Sequence, residues 1–201
     1  MSKKAPIFSQ RLLRAIKLGD NFFSSIKRAD GNNYIIHLLG VMYIASTITN
    51  DEDVLIAAVL HDTLEDVDPE KYSEDEMRRD FGDRVVELVK TVSHSVVSSS
   101  IAKKQSRQIY LAQIEAGPKD ALIISASDLI NNLSDMIFNI ESGDLSLMPE
   151  SMRNTNDPSF QVRLWFYDQR VKIFLRRLGD DHTLALEALN LINYYKKLME
   201  V

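Results

Sequence analysis

The sequence predicts a compact all-α domain with a polar site inside it, and three observations carry that prediction. Apolar residues recur at the three- and four-residue spacing of helices in one segment after another. Capping residues precede these segments, with Gly or Pro between many of them. No series of alternating strands occurs, and with 45% hydrophobic and 26% charged residues the 201-residue chain has the balance of one globular domain, residues 1–201.

Ser9 stands as an N-cap before QRLLRAIKLGDNFFSSIKR, a helix whose apolar face is Leu12, Leu13, Ile16, Phe22, Phe23 and Ile26 and which Asp30 and Gly31 end. A second helix runs from Tyr34 to Thr49, with Ile35, Leu38, Leu39, Met42 and Tyr43 at helical spacing. Asn50 with Asp53 caps a third, which carries VLHDTLEDV and stops before Pro69. Ser73 and Glu76 form the S-x-x-E capping box of the next, Gly82 breaks it, and Asp83 opens a helix with Val85, Val86, Leu88 and Val89 inside. The stretch SHSVVSSSIAKKQS lacks periodicity and reads as a mobile loop before a helix from Gln108 to Glu115. After Gly117 and Pro118 a long helix spans Asp120 to Glu141, closed by Gly143. GDLSLMPESMRNTNDP is a second loop, and Ser159–Leu178 and Thr183–Leu198 are two amphipathic helices parted by Gly179.

Charge and composition narrow the function. A net charge of -5, from 24 Lys plus Arg against 29 Asp plus Glu, argues against nucleic acid as the main partner. With no cysteine there is no disulfide, thiolate nucleophile or cysteine zinc site, so any metal must be held by His and carboxylates. No apolar stretch approaches the roughly 20 residues of a membrane span, and MSKKAPIFSQRLL lacks the features of a secretory signal. No membrane partner and a cytoplasmic location are expected.

The chemistry gathers where an apolar run meets acid. Val54 to Leu60 are all apolar, and His61, Asp62, Glu65 and Asp66 follow within six positions. Burying such groups is costly unless a cation or a hydrogen-bond network compensates them. On one continuous helix His61 and Glu65 share a face, as do Asp62 and Asp66, so two metal ligands are followed one turn later by two free carboxylates. Further ligands must come from elsewhere, and His37 and Asp128, each among apolar helical positions, are the candidates. Taken singly each has an ordinary explanation: His37 as a core imidazole, Asp128 as a polar surface position, Glu65 and Asp66 as a solvated helix end. Together their order matches an HD-type metal phosphohydrolase.

In order along the chain, YIIH ending at His37, AVLHDTLED ending at Asp66, FG at Phe81 before VVELV, and DLINNL starting at Asp128 resemble the hydrolase half of the RelA/SpoT alarmone enzymes. The chain is most similar to the stand-alone small alarmone hydrolases. The resemblance implies an HD-domain fold in which His37, His61, Asp62 and Asp128 hold one Mn²⁺, a ligand set suited to that metal. It implies that Glu65 and Asp66 orient or deprotonate the attacking water, and that the 3′-pyrophosphate of guanosine tetra- or pentaphosphate is removed to leave GDP or GTP. Substrate contacts match in part. The family's Arg-Lys-x-Gly-x-Pro-Tyr reads RADGNNY here, keeping Arg28 and Tyr34 with Ala29 and Asn33 in place of Lys and Pro. Its Lys-x-Ala-Asp-Arg-Leu-His-Asn reads SASDLINN, keeping Asp128 and Asn132 but with Ser125, Leu129 and Asn131 for Lys, Arg and His; a further Lys falls on His94. Arg28, Tyr34, Asn132 and His94 are thus the expected substrate-binding set, with Lys103, Lys104 or Arg107 as sources of replacement charge. Two alternatives stand beside this reading: hydrolysis of another 2′- or 3′-phosphorylated purine nucleotide such as NADPH, and a non-catalytic nucleotide-binding regulator. The oligomeric state is left open.

Overall fold

The computed structural model describes residues 9–28, 31–94, 103–143, 145, 148 and 150–201. Helix follows helix: α1 (Gln10–Phe23), α2 (Tyr34–Ser46), α3 (Glu52–Val59), α4 (Thr63–Asp66), α5 (Glu74–Phe81), α6 (Asp83–Val92), α7 (Lys103–Ala116), α8 (Lys119–Glu141), α9 (Glu150–Arg153), α10 (Pro158–Leu178) and α11 (Thr183–Leu198). Among the described residues the only extended pairing is an isolated bridge between Lys27 and Asn33.

The longest helix, α8, is apolar over most of its circumference, with Leu122, Ile124, Ala126, Leu129 and Leu133 fully buried. A helix of that kind has to be surrounded, and α2, α6, α10 and α11 pack around it. The short α3 is likewise buried at Val54, Ile56, Ala57, Ala58 and Val59, packed against α1, α2 and α6. These two interior helices, together with α2, bring His37, His61 and Asp128 into one place.

The expected elements are present, with boundaries moved for local reasons. The first helix stops at Phe23 rather than continuing to Arg28: Ser24 follows with its hydroxyl on the Asn21 carbonyl, and the Phe23 ring stacks on Tyr34 at 4.7 Å. The second stops at Ser46, and the third is capped by Asp51, not Asn50, through the Asp53 amide. The Ser73–Glu76 capping box forms as expected. Helix α7 begins at Lys103, so part of the expected loop is helical; residues 95–102 lie outside the described residues. One helical turn, α9, interrupts the second loop.

The largest departure falls on the motif itself. The expected continuous helix breaks between α3 and α4, with Leu60 at φ -101° and ψ 9°. The His61 ring is the cause: its Nδ1 donates to the Ala58 carbonyl at 2.9 Å, while Ser93 Oγ donates to the His61 carbonyl at 3.2 Å. Side-chain bonds of this kind compete with the helical ladder. The face-sharing expected of His61 with Glu65, and of Asp62 with Asp66, on a single helix therefore does not apply.

Candidate metal centre

Helix α2 approaches α8 closely at Gly40, where an added Cβ would fall 2.5 Å from Asn131 Nδ2. That approach sets His37, one turn earlier on α2, against the same helix, its Nδ1 2.6 Å from Asn131 Oδ1. The partners of the two imidazoles, an amide oxygen for His37 and the Ala58 carbonyl for His61, can only accept. Both rings therefore carry a proton on Nδ1 and turn Nε2 toward Asp62 and Asp128.

Asp62 Oδ2 lies 3.6 Å from His37 Nε2 and 3.1 Å from His61 Nε2. Asp128 Oδ1 lies 3.6 and 3.9 Å from the same two nitrogens. The donor atoms of His37, His61 and Asp128 fall within 4.8 Å of one another, a group that could hold a metal ion. His61 Nε2 is buried and, despite its approach to Asp62, makes no hydrogen bond. An orphaned buried nitrogen facing two carboxylates fits a cation bound by imidazole and carboxylate donors.

The electrostatics agree. Burial works against a charge on His61, yet Asp62 and Asp128 outweigh it and lift the ring to about 9. Burial and the neighbouring His61 lower His37 to about 4. Burial also opposes ionised Asp62, but the imidazoles and a 2.7 Å hydrogen bond from the Tyr34 hydroxyl hold its carboxyl well below the usual range. The cluster thus accommodates one positive charge, as a proton or as a cation.

The centre opens into a cleft of about 210 Å³. Glu65 stands at its mouth, accepting the His94 backbone N–H at 2.8 Å, and burial on its protein side with Asp62 nearby lifts its carboxyl to about 7. Arg28, Tyr34, His94 and Asn132 line the cleft as expected. Arg28 donates to Asn132 Oδ1 at 2.8 Å and pairs with Asp135 at 3.2 Å, and the His94 ring stacks on Tyr110 at 4.3 Å. Asp66 is the member the structure does not bring in: it is exposed and not among the lining residues.

The cleft is also lined by Arg107, Arg163 and Arg170, with Tyr110, Phe166 and Tyr167, and Arg170 reaches Asp128 at 2.9 Å. Arg107 was among the expected replacement charges; Lys104 instead faces the Trp165 ring at 5.3 Å, and nothing is described of the Lys103 side chain. The sequence reading missed Arg163, Tyr167 and Arg170. Their signal was their spacing, which puts all three on one face of α10.

The family described as the HD domain matches the chain over residues 15–136, from α1 to the last turns of α8. This chain is an HD-domain protein. Among relatives of this HD domain, the guanosine-3′,5′-bis(diphosphate) 3′-pyrophosphohydrolase of Aquifex aeolicus is 28% identical over 162 residues, which is 80% of this chain and 23% of that protein. The enzyme of the same name, MESH1, from Drosophila melanogaster is 30% identical over 111 residues, 55% of this chain and 58% of that protein. The chain therefore spans less than two thirds of the length of either. A solved structure of a protein described as a metazoan ortholog of SpoT that hydrolyzes ppGpp shares the fold, with a TM-score of 0.76 and 23% identity over 94% of this chain and 98% of that one. The family likeness drawn from the sequence thus holds.

Proposed function

We propose that this HD domain is a Mn²⁺-dependent hydrolase that removes the 3′-pyrophosphate of guanosine tetra- or pentaphosphate, yielding GDP or GTP and pyrophosphate. The observation that carries the reading is the convergence of His37, His61, Asp62 and Asp128 in one cleft with Glu65, which Arg28, Arg107, Arg163 and Arg170 also line. The printed activities of the Aquifex and Drosophila relatives support the same chemistry.

In this reading His37, His61, Asp62 and Asp128 hold one Mn²⁺. Such a cation supplies Lewis-acid activation of phosphoryl oxygen and of water. Glu65, raised into the range where a carboxylate takes protons near neutral pH, receives the proton of the attacking water. Asp66, from outside the cleft lining, acts through the local field rather than by contact. Arg107 and Arg163 face phosphate oxygens, for which a planar guanidinium is well shaped. Arg28, packed 5.9 Å from the Tyr34 ring centre and held by Asn132, receives the base.

A second reading keeps the centre and exchanges the substrate for another 2′- or 3′-phosphorylated purine nucleotide such as NADPH. Ser125 and His94, where the resembling enzymes carry lysine, favour it. Incubation of the purified protein and Mn²⁺ with guanosine tetraphosphate, NADPH and guanosine 5′-monophosphate, with products identified by mass, separates the readings. GDP and pyrophosphate are expected. Cleavage of the 5′-monophosphate alone would sink the proposal, as would three intact nucleotides with the metal site filled.

A further inference from the structure

Arg170 rises from α10 and is only 3% exposed, yet its guanidinium reaches the centre of α8. Nη2 donates to Asp128 Oδ2 at 2.9 Å, to the Ser125 hydroxyl at 3.1 Å and to the Ser125 carbonyl. The rings of Tyr110, Phe166 and Phe174 lie 5.7, 5.6 and 5.9 Å from its central carbon and enclose the group. The Tyr110 hydroxyl and Ser125 Oγ are 2.9 Å apart, which ties α7 into the same network. Nε is buried without a hydrogen-bond partner, so the described hydrogen bonds of this side chain all go to Asp128 and Ser125.

The consequence for Asp128 is directional. Its Oδ2 is engaged by Arg170, while Oδ1, which accepts from Asn132 at 2.5 Å, is the oxygen that faces His37 and His61. A carboxylate tied through its outer oxygen presents the inner one at a set angle, and groups that hold metal ligands in this way tune the affinity of a site. Residue 125, whose hydroxyl and carbonyl accept from Arg170, is Ser at the position where the resembling enzymes carry Lys.

We propose that Arg170 is the positioning residue of the metal centre, which by engaging Asp128 Oδ2 sets the angle at which Oδ1 faces His37 and His61. The inference rests on the reading of the cleft as a metal centre and names the residue that sets the orientation of Asp128.

The test is Mn²⁺ affinity, read from free Mn²⁺ by electron paramagnetic resonance, for the parent, Arg170→Met, and Arg170→Met with Ser125→Lys. Arg170→Met should bind roughly 10- to 100-fold more weakly, and the double variant, whose ammonium sits one turn before Asp128 on the same helix, should recover most of that loss. Arg170→Lys, which keeps charge without the planar fork, should fall between parent and Arg170→Met. Unchanged affinity in folded Arg170→Met overturns the proposal, and so does a folded double variant no tighter than Arg170→Met. If Arg170→Met does not fold, Arg170→Lys and the double variant decide by the same comparison; if none folds, Arg170 serves only the core and the proposal falls. A parent that binds Mn²⁺ but leaves guanosine tetraphosphate intact would refute the substrate reading while leaving this comparison in force.

Discussion

The two walls of the cleft are built from different parts of the chain and from opposite chemistry. One wall, from α2, the α3–α4 junction and α8, carries His37, His61, Asp62 and Asp128, all inside the region matched by the HD domain. The other, from α7 and α10, carries Arg107, Arg163 and Arg170 among aromatic rings, and α10 lies wholly beyond that region. On the proposed reading the first wall holds the metal and activates water, and Arg107 and Arg163 of the second receive the substrate's negative charge, while Arg170 is tied to Asp128. The metal donors of that reading all come from the matched segment, whereas Arg163 and Arg170 come from α10 beyond it, and Ser125 and His94, where the resembling enzymes carry lysine, place the exchange of charge inside the matched segment itself.

Substitutions on the two walls should therefore separate metal and turnover from binding. His61→Ala, on the first wall, is expected to remove the bound metal stoichiometrically and turnover with it; metal analysis of the folded variant showing full retention would break the division. Glu65→Gln should keep the metal and lose roughly 10²- to 10⁴-fold in kcat, the usual cost of a positioned general base. Asp66→Asn, outside the cleft lining, should lose much less, and equal losses would return Asp66 to the site. Arg107→Ala and Arg163→Ala should raise KM about 10- to 100-fold with kcat nearly unchanged, as expected for a hydrogen bond to a charged group. That penalty should shrink in a parent already measured at high salt, since screening weakens the same attraction. Arg28→Ala should raise KM by a smaller factor, about 2- to 5-fold for a stacking contact worth roughly 0.5–1 kcal/mol. Smallest for activity is Ser73→Ala, remote from both walls: loss of its capping box should cost about 1 kcal/mol, lowering Tm by about 2–4 °C in a thermal melt, with kcat and KM unchanged.

The same contrast explains what could be read in advance. His61 and Asp62 stood out because they follow the seven apolar residues Val54–Leu60, where an unpaired imidazole or carboxylate is anomalous. Arg163 and Arg170 did not, because arginine on an amphipathic helix is ordinary and nothing local says which face meets a cleft. The break between α3 and α4 was hidden for a related reason: the residues have good helical spacing, and the bond from His61 Nδ1 to the Ala58 carbonyl that competes with the ladder forms only when the ring is driven inward.

Taken alone, the sequence determined the helical class, most helix positions, the capping box at Ser73 and the candidates His37, His61 and Asp128 that the fold gathers within 4.8 Å, because periodicity, caps and misplaced polar residues are properties of the local chain. Only the tertiary structure decided that Asp66 stays outside, that Arg107, Arg163 and Arg170 line the same cleft as the acidic groups, and that Asp128 is held by a guanidinium 42 residues away. Those are contacts between helices, fixed by how α8 is enclosed by its neighbours, and packing of that kind leaves little trace in the spacing of residues along any one of them.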